Sequence, residues 1–365
     1  MKQIAAITAD DNILSLAWGG DLLAVTPSTG AILVLDAAGR KGTSLDGHGL
    51  GNGESAWFHG SLATCGFDGK IRWNGREIHA GRGIIERVKA SADGNLLGGG
   101  QGKALLVFDR EGNPAPPESL RSRGQNTERV KESGTGFPAC ASAQTQAGKP
   151  VSQFRTAQGL SGLPASVADF AWDPSDSSRV AIVGAGGARM WKFGESEPFA
   201  RFDWGGASLR VEWSSCGRWL VTADQTPSVH IYDFTRDYPL HIQGYETKVR
   251  AMAFSADGTR LATGGSSVIT IWPCTGKTGP EGVTPVQLEG HDGEVQASAF
   301  SPKTGQLATG DGTGMVLIFT FQGDKAMRKR LRLDAGISAL AWHPENDWLA
   351  IGREDGAVSI LSLEA

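Results

Sequence analysis

Along most of the chain, apolar residues alternate with polar or small ones in short runs bounded by Gly, Asp, Asn or Pro. Alternation with period two between turn residues predicts half-buried β-strands rather than helices. The runs 31–36 (AILVLD), 70–73 (KIRW), 104–109 (ALLVFD), 228–233 (SVHIYD), 268–272 (VITIW) and 315–319 (MVLIF) are richest in β-branched and long aliphatic residues. Such runs suit strands covered on both faces.

The alternation repeats. The string AMAFSADGTRLATGG (251–265) returns as ASAFSPKTGQLATGD (297–311) and ALAWHPENDWLAIGR (339–353), with looser copies earlier in the chain. Anchor residues that end the first strand of each copy are Trp18, Trp57, Ala90, Trp172, Trp213, Phe254, Phe300 and Trp342. Their successive spacings are 39, 33, 82, 41, 41, 46 and 42, and 82 is twice the common value. After each anchor come a turn, a second apolar strand, another turn and a third, β-branched strand. Four-stranded antiparallel meanders at this period predict an all-β fold, a single β-propeller of eight blades, with seven as the alternative. The chain stops just after the third strand of the last copy, so the strand-like KQIAAIT (2–8) is expected to complete that blade and close the ring.

Gly47-His48 and Gly290-His291 stand at one offset before their anchors, nine residues from His to anchor, and third strands often end in an aromatic. These features resemble the WD-40 repeat family, in its single-domain, bacterial-type form. No third strand ends in a literal Trp-Asp; the endings are Leu35-Asp36, Phe108-Asp109 and Tyr232-Asp233. The resemblance implies structural roles for His291 and for a His–Thr–Asp–Trp set in the second unit, His48, Thr64, Asp68 and Trp73. It also implies a non-catalytic interaction scaffold. Some members of this kind are encoded beside CobW-type metal-chaperone GTPases, which makes such a GTPase an alternative partner.

One domain, residues 1–365, is expected. Residues 110–150 lack alternation and are rich in Pro, Gly, Ser and charge, so a flexible insertion between the third and fourth units is expected there. The net charge of −4 gives no reason to expect nucleic acid or an anionic membrane. The four cysteines (Cys65, Cys140, Cys216, Cys274) lie far apart, so neither a zinc knuckle nor a disulfide framework is indicated. A reduced, cytoplasmic, monomeric protein without cofactor is the expectation. Gly276-Lys277-Thr278 matches the tail of a phosphate-binding loop. The full motif, however, needs a glycine where Ile271 stands and a helix where Gly279-Pro280 follow. It is expected to be a rim loop.

Fixed offsets from the anchors give columns around the ring. Nine residues before the anchor, units five and six carry Trp204 and Tyr245 where units two and seven carry histidine. Two readings follow: aromatic anchors for a peptide at the mouth, joined there by Lys248 and Arg250, or packing between strands as the family histidine packs. Three residues before the anchor, units two to five carry Glu54, Arg87, Asp169 and Arg210, alternating in sign; Lys89 and Glu212 extend the same side. An inter-blade charge network is expected, because an unpaired buried charge costs several kcal/mol. On that reading Arg210→Ala destabilises the protein. The alternative is a charged channel that binds a small ligand or serves an enzyme. The basic run 325–334 (KAMRKRLRLD) is expected as an outer strand whose charges deter sheet-to-sheet association. No catalytic motif is present, and His48, His59, Cys65 and His79 form a metal set only if early blades converge.

Overall fold

The computed structural model describes residues 1–115, 160, 161, 163, 165–192, 195, 197–234, 239–323 and 325–363. The anchors end eight inner strands: Ile13–Gly19, Ala56–Phe58, Val88–Ala90, Asp169–Trp172, Ala200–Trp213, Ala251–Phe254, Val295–Phe300 and Ile337–Trp342. Each of these strands touches the next, and the last touches the first, so they line a closed ring. From each, antiparallel pairing proceeds outward to a second, a third and an outer strand.

The fold is a β-propeller of small antiparallel sheets. Counted as hydrogen-bonded sheets there are seven, six of four strands and one of six. The six-stranded sheet carries two units, because two of its strands are each 14 residues long. The first half of Arg179–Lys192 pairs with the inner strand of unit four, and its second half pairs with Ala200–Asp203. Two consecutive left-handed glycines, Gly186 and Gly187 (φ 87° and 101°), turn the chain between the halves. Likewise Ala200–Trp213 begins as the outer strand of unit four and continues as the inner strand of unit five, pairing with Trp219–Asp224. Eight repeat units thus sit in seven sheets.

The N-terminal strand Lys2–Thr8 pairs antiparallel with Ala357–Ser362 and is the outer strand of the last sheet, closing the ring as the sequence implies. In unit three the outer strand is Leu160–Ser161, paired with Ala104–Leu105. The long segment therefore interrupts unit three, between its third and outer strands. Of residues 110–150, 110–115 form a turn bridged by Phe108 and Pro114; the rest lie outside the described residues.

The core lies between sheets. Leu307, Leu317 and Phe319 of unit seven pack on Ile269, Ile271 and Leu288 of unit six, for example. This explains the patterning: Trp219–Asp224, a second strand, is buried at every position, whereas the outer strand Leu240–Gln243 alternates. Each aliphatic side chain so buried contributes about 1.5–3 kcal/mol. The outer strand Lys325–Arg332 pairs residue for residue with Met315–Gln322, as the basic run implies. Its Arg328 holds the Glu289 carbonyl and its Arg332 holds Asp292 and Thr313.

The five tryptophan anchors share one further contact. Trp18, Trp57, Trp172, Trp213 and Trp342 each donate the indole N–H to a backbone carbonyl of the preceding unit: Ala341, Ala17, Lys89, Ala171 and Ala299 respectively. In every case the acceptor stands one residue before the preceding anchor. A tryptophan at this position therefore both fills the inter-sheet layer and ties two units together.

Candidate functional site: the channel and its entry mouth

The histidine column is structural wherever the residues are described. His48 bonds Asp68 at 2.7 Å and Thr64 at 3.2 Å, and His291 bonds Thr309 at 2.7 Å and Asp311 at 3.2 Å. Burial lowers the pKa of both imidazoles against the pull of their carboxylates. Trp73 stands outside this set, contrary to the sequence expectation, and donates instead to the Phe58 carbonyl at 2.8 Å. The reason is register: Trp73 pairs with Ala63 and Thr64 with Arg72, so the indole and the hydroxyl lie on opposite faces. In unit six the tryptophan does join. Trp272 donates to both Thr263 and Tyr245, and the Tyr245 hydroxyl bonds Thr263 at 2.7 Å.

Tyr245 thus occupies the histidine's place, and burial raises its phenol pKa. Trp204 does the same in unit five, donating to Ser208, which in turn donates to the buried Asp224. The polar tips of both aromatics are used inside the sheets. Of the four partner-binding candidates, Lys248 and Arg250 are the two that line the channel mouth.

The charged column gives the following geometry. Arg87 Nε lies 3.0 Å from Glu54, and Lys89 Nζ lies 2.7 Å from Asp169. Asp169 is buried, which alone would raise its pKa, but Lys89 and Arg87 outweigh burial and lower it. Its second oxygen accepts the Val211 N–H at 3.1 Å, so units three, four and five meet at this carboxylate. Arg210 differs from the sequence expectation of burial: its side chain is 48% exposed and approaches Glu54 only to 3.9 Å. Glu212 accepts the Phe254 N–H at 3.0 Å, a contact to unit six, and has no ion pair among the described residues. Burial pushes its carboxyl up to about 7, against the Phe254 N–H.

These residues face a channel along the ring axis made of two compartments of about 590 and 600 Å³. Leu14, Glu54, Arg210, Arg250, Gln296 and Ser338 line both compartments and form a waist between them. Four inner strands carry a β-bulge at one position. The extra residues are Leu14, Leu209, Gln296 and Ser338, each four before its anchor, and all four line the channel. A bulge re-aims the extra side chain out of the ladder, here into the channel. The column-based sequence reading used offsets three and nine; offset four was the signal for these residues. The hydroxyls of Ser298 and Ser338 are buried without a hydrogen-bond partner, an arrangement that costs about 1–3 kcal/mol each if nothing else satisfies them.

The mouth at which the inner strands begin, termed here the entry mouth, is also apolar. Leu14, Phe67 (40% exposed) and Leu209 line it. Leu50 (75% exposed) precedes Gly51, whose carbonyl receives the Phe67 N–H, and Ile84 (48% exposed) precedes Ile85, whose N–H reaches the Gly66 carbonyl. They account for five of the ten large exposed apolar side chains among the described residues, gathered at one end of the channel. None was singled out from sequence: Leu50, Phe67 and Ile84 are isolated loop residues without periodicity, and the bulges that turn out Leu14 and Leu209 appear only in the register.

Other candidates resolve locally. Arg218 holds the carbonyls of Gly276 and Lys277 at 2.6 and 2.7 Å, and Gly279 (φ 57°) packs on Trp219, so the phosphate-loop-like stretch is a turn laid over unit five. Cys65 donates to the Glu54 carbonyl and His79 bonds Gln101, apart from His48. The one metal-capable group among the described residues is Asp224, His230 and His241. There Asp224 already takes the hydroxyls of Ser208, Thr222 and Ser228 together with His230 Nδ1. Cys65 and Cys274 are free and buried. No helix of the described residues is long and apolar enough to cross a membrane.

Family models match two stretches: "WD domain, G-beta repeat" over residues 237–273, and "Anaphase-promoting complex subunit 4 WD40 domain" over residues 298–365. No curated protein matches the chain. Among solved structures, the crystal structure of the computationally designed Ika8 protein is similar over 100% of both chains, with a TM-score of 0.73 at 14% identity, which bears on fold alone. The repeat matches fall on units six to eight, and the same order of antiparallel strands runs through the rest of the ring. The chain is a β-propeller, and over these two stretches it is similar to the WD-40 repeat family.

Proposed function

We propose that the protein is a non-catalytic interaction scaffold that docks a segment of a protein partner across the entry mouth. WD-40 propellers are in general scaffolds of this kind. The observation that supports this reading is the composition of the mouth. Exposed Leu14, Phe67 and Leu209 line the same compartment of about 600 Å³ as Lys248 and Arg250, with exposed Leu50 and Ile84 on the loops that hydrogen-bond around Phe67. Large apolar side chains at the centre of a contact, with charge at its edge, are the usual energetic arrangement of a docking surface. Leu14 and Leu209 sit on inner strands, and the loops that carry Leu50, Phe67 and Ile84 are joined by the Phe67 N–H to Gly51 and the Ile85 N–H to Gly66.

The test is affinity capture from native lysate with mass spectrometry, using wild type and a Phe67→Ser/Ile84→Ser/Lys248→Glu variant of unchanged melting temperature. A stoichiometric partner lost from the variant supports docking at the entry mouth. A partner that the variant retains, or no stoichiometric partner for wild type, counts against it.

A further inference from the structure

We infer that the waist of the channel is an oxyanion site, built for a carboxylate or phosphate group. Four residues with hydrogen-bond donors, from four consecutive units, line both compartments there: Arg210, Arg250, Gln296 and Ser338. Arg210 makes no hydrogen bond and reaches Glu54 only at 3.9 Å, while the Arg250 side chain approaches Glu294 only at 3.7 Å. A guanidinium has five N–H donors and no acceptor, so both groups present unused donors to the channel. The Ser338 hydroxyl is buried beneath the channel wall without a partner among the described residues, so it is a donor in reserve that a small side-chain rotation would bring to a bound oxygen. Two of the four donors, Gln296 and Ser338, occupy β-bulges, which aim them at the axis rather than along the sheet.

Charge at the waist favours an anion. Of the six residues common to both compartments Glu54 is the one carboxylate and is held by Arg87 at 3.0 Å, while Arg210 and Arg250 keep only the looser pairs at 3.9 and 3.7 Å. Planar bidentate donors suit carboxylate and phosphate oxygens. Either compartment, near 600 Å³, has room for a small ligand. The oxyanion has two possible sources, a free small anion or an acidic side chain of a docked segment. The site stands apart from the docking reading, because a small anion reaches the waist without any rim contact.

The experiment is isothermal titration of the full chain at low ionic strength with three probes: sodium phosphate, glutarate, and a capped peptide containing two adjacent glutamates. Wild type is expected to bind at least one, with Arg210→Gln and Arg250→Gln each weakening it by about tenfold or more and Ser338→Ala by a smaller factor. Arg330→Gln, which removes a guanidinium from the outer strand of unit seven, is expected to bind as wild type does. Binding of phosphate or glutarate identifies a small-anion site; binding of the peptide alone identifies an acidic side chain as the occupant. Circular dichroism of each variant separates lost binding from lost fold. Wild type that binds none of the three, or affinities that Arg210→Gln and Arg250→Gln leave unchanged, would overturn the assignment.

Discussion

The Lys89 ammonium lies 2.7 Å from the Asp169 carboxylate, joining residues 80 apart in sequence and in neighbouring units of the ring. Because Asp169 also accepts the Val211 N–H, one buried side chain fixes three units to one another. Removing it strands an ammonium and a backbone donor together. Asp169→Ala is therefore expected to cost about 3–5 kcal/mol, the range for breaking a buried pair from one side. Arg210→Ala, in the same column but half exposed and at 3.9 Å from its nearest carboxylate, is expected to stay within about 0.5 kcal/mol. Chemical denaturation of the two variants checks the contrast. Equal costs would mean that the column acts as one network.

Glu212 makes the opposite use of burial. Burial holds its carboxyl at about 7, above the ordinary 4.5, and the Phe254 N–H and the charges of Lys89 and Arg210 offset burial only in part. Between those values the folded protein keeps a proton that the unfolded chain has released, so stability falls as pH rises from about 4.5 to 7 and is flat above. The full shift corresponds to roughly 3 kcal/mol, and the open channel reduces this to about 1–2 kcal/mol. Glu212→Gln is expected to match wild type near pH 5 and to exceed it by about 1–2 kcal/mol at pH 8. Melting curves across that interval decide it; parallel curves would show that Glu212 ionises in the fold as easily as in the open chain.

Asp311 behaves in the reverse sense. Burial would raise its carboxyl, but the N–H groups of Met315, Thr313 and Gly293 and the Thr313 hydroxyl hold it at about 2. Its folded pKa lies below the unfolded 3.8, so its contribution is present above pH 3.8 and lost as pH falls toward 2. The shift is worth roughly 2 kcal/mol. Asp311→Asn is expected to cost about that much at pH 7, with the gap to wild type closing below pH 4. A gap independent of pH would point to lost hydrogen-bond geometry rather than to lost charge.

The ring was legible in the sequence because its determinants are local and repeated. Period-two alternation, anchors near 41 residues apart and a strand-like N-terminus are each readable without knowing what touches what. The long interruption was visible too, although its place inside unit three depended on the two-residue strand Leu160–Ser161, too short to leave a pattern. Trp73 shows a different limit. Nothing in KIRW says which face its indole takes; only the pairing of Ala63 with Trp73 does. The channel site was half legible. Columns located the charges, but which charge is buried depends on neighbours across the sheet interface. The bulges that turn Gln296 and Ser338 inward appear only in the register.

The tryptophan anchors give a further prediction. Trp57 donates to the Ala17 carbonyl at 2.8 Å and Trp213 to the Ala171 carbonyl at 3.1 Å, each bond crossing from one unit to the one before. Phenylalanine is tolerated at this position, since Phe254 and Phe300 hold it in units six and seven, so Trp→Phe keeps most of the packing and deletes the bond. The carbonyl left behind lies between sheets, and the expected cost is about 1–2 kcal/mol per substitution. Trp57 and Trp213 sit in units two and five and share no partner, so their costs should add to within about 0.5 kcal/mol. Trp172 and Trp213 are different. The carbonyl that receives Trp213 belongs to Ala171, the residue beside Trp172, so loosening one anchor moves the other's acceptor. That double variant is expected to depart from additivity by more than about 0.5 kcal/mol. Denaturation of the three single and two double variants against wild type tests both statements. Additive losses in the adjacent pair would mean that each unit holds its own geometry and that the indole bonds fasten the ring without shaping it.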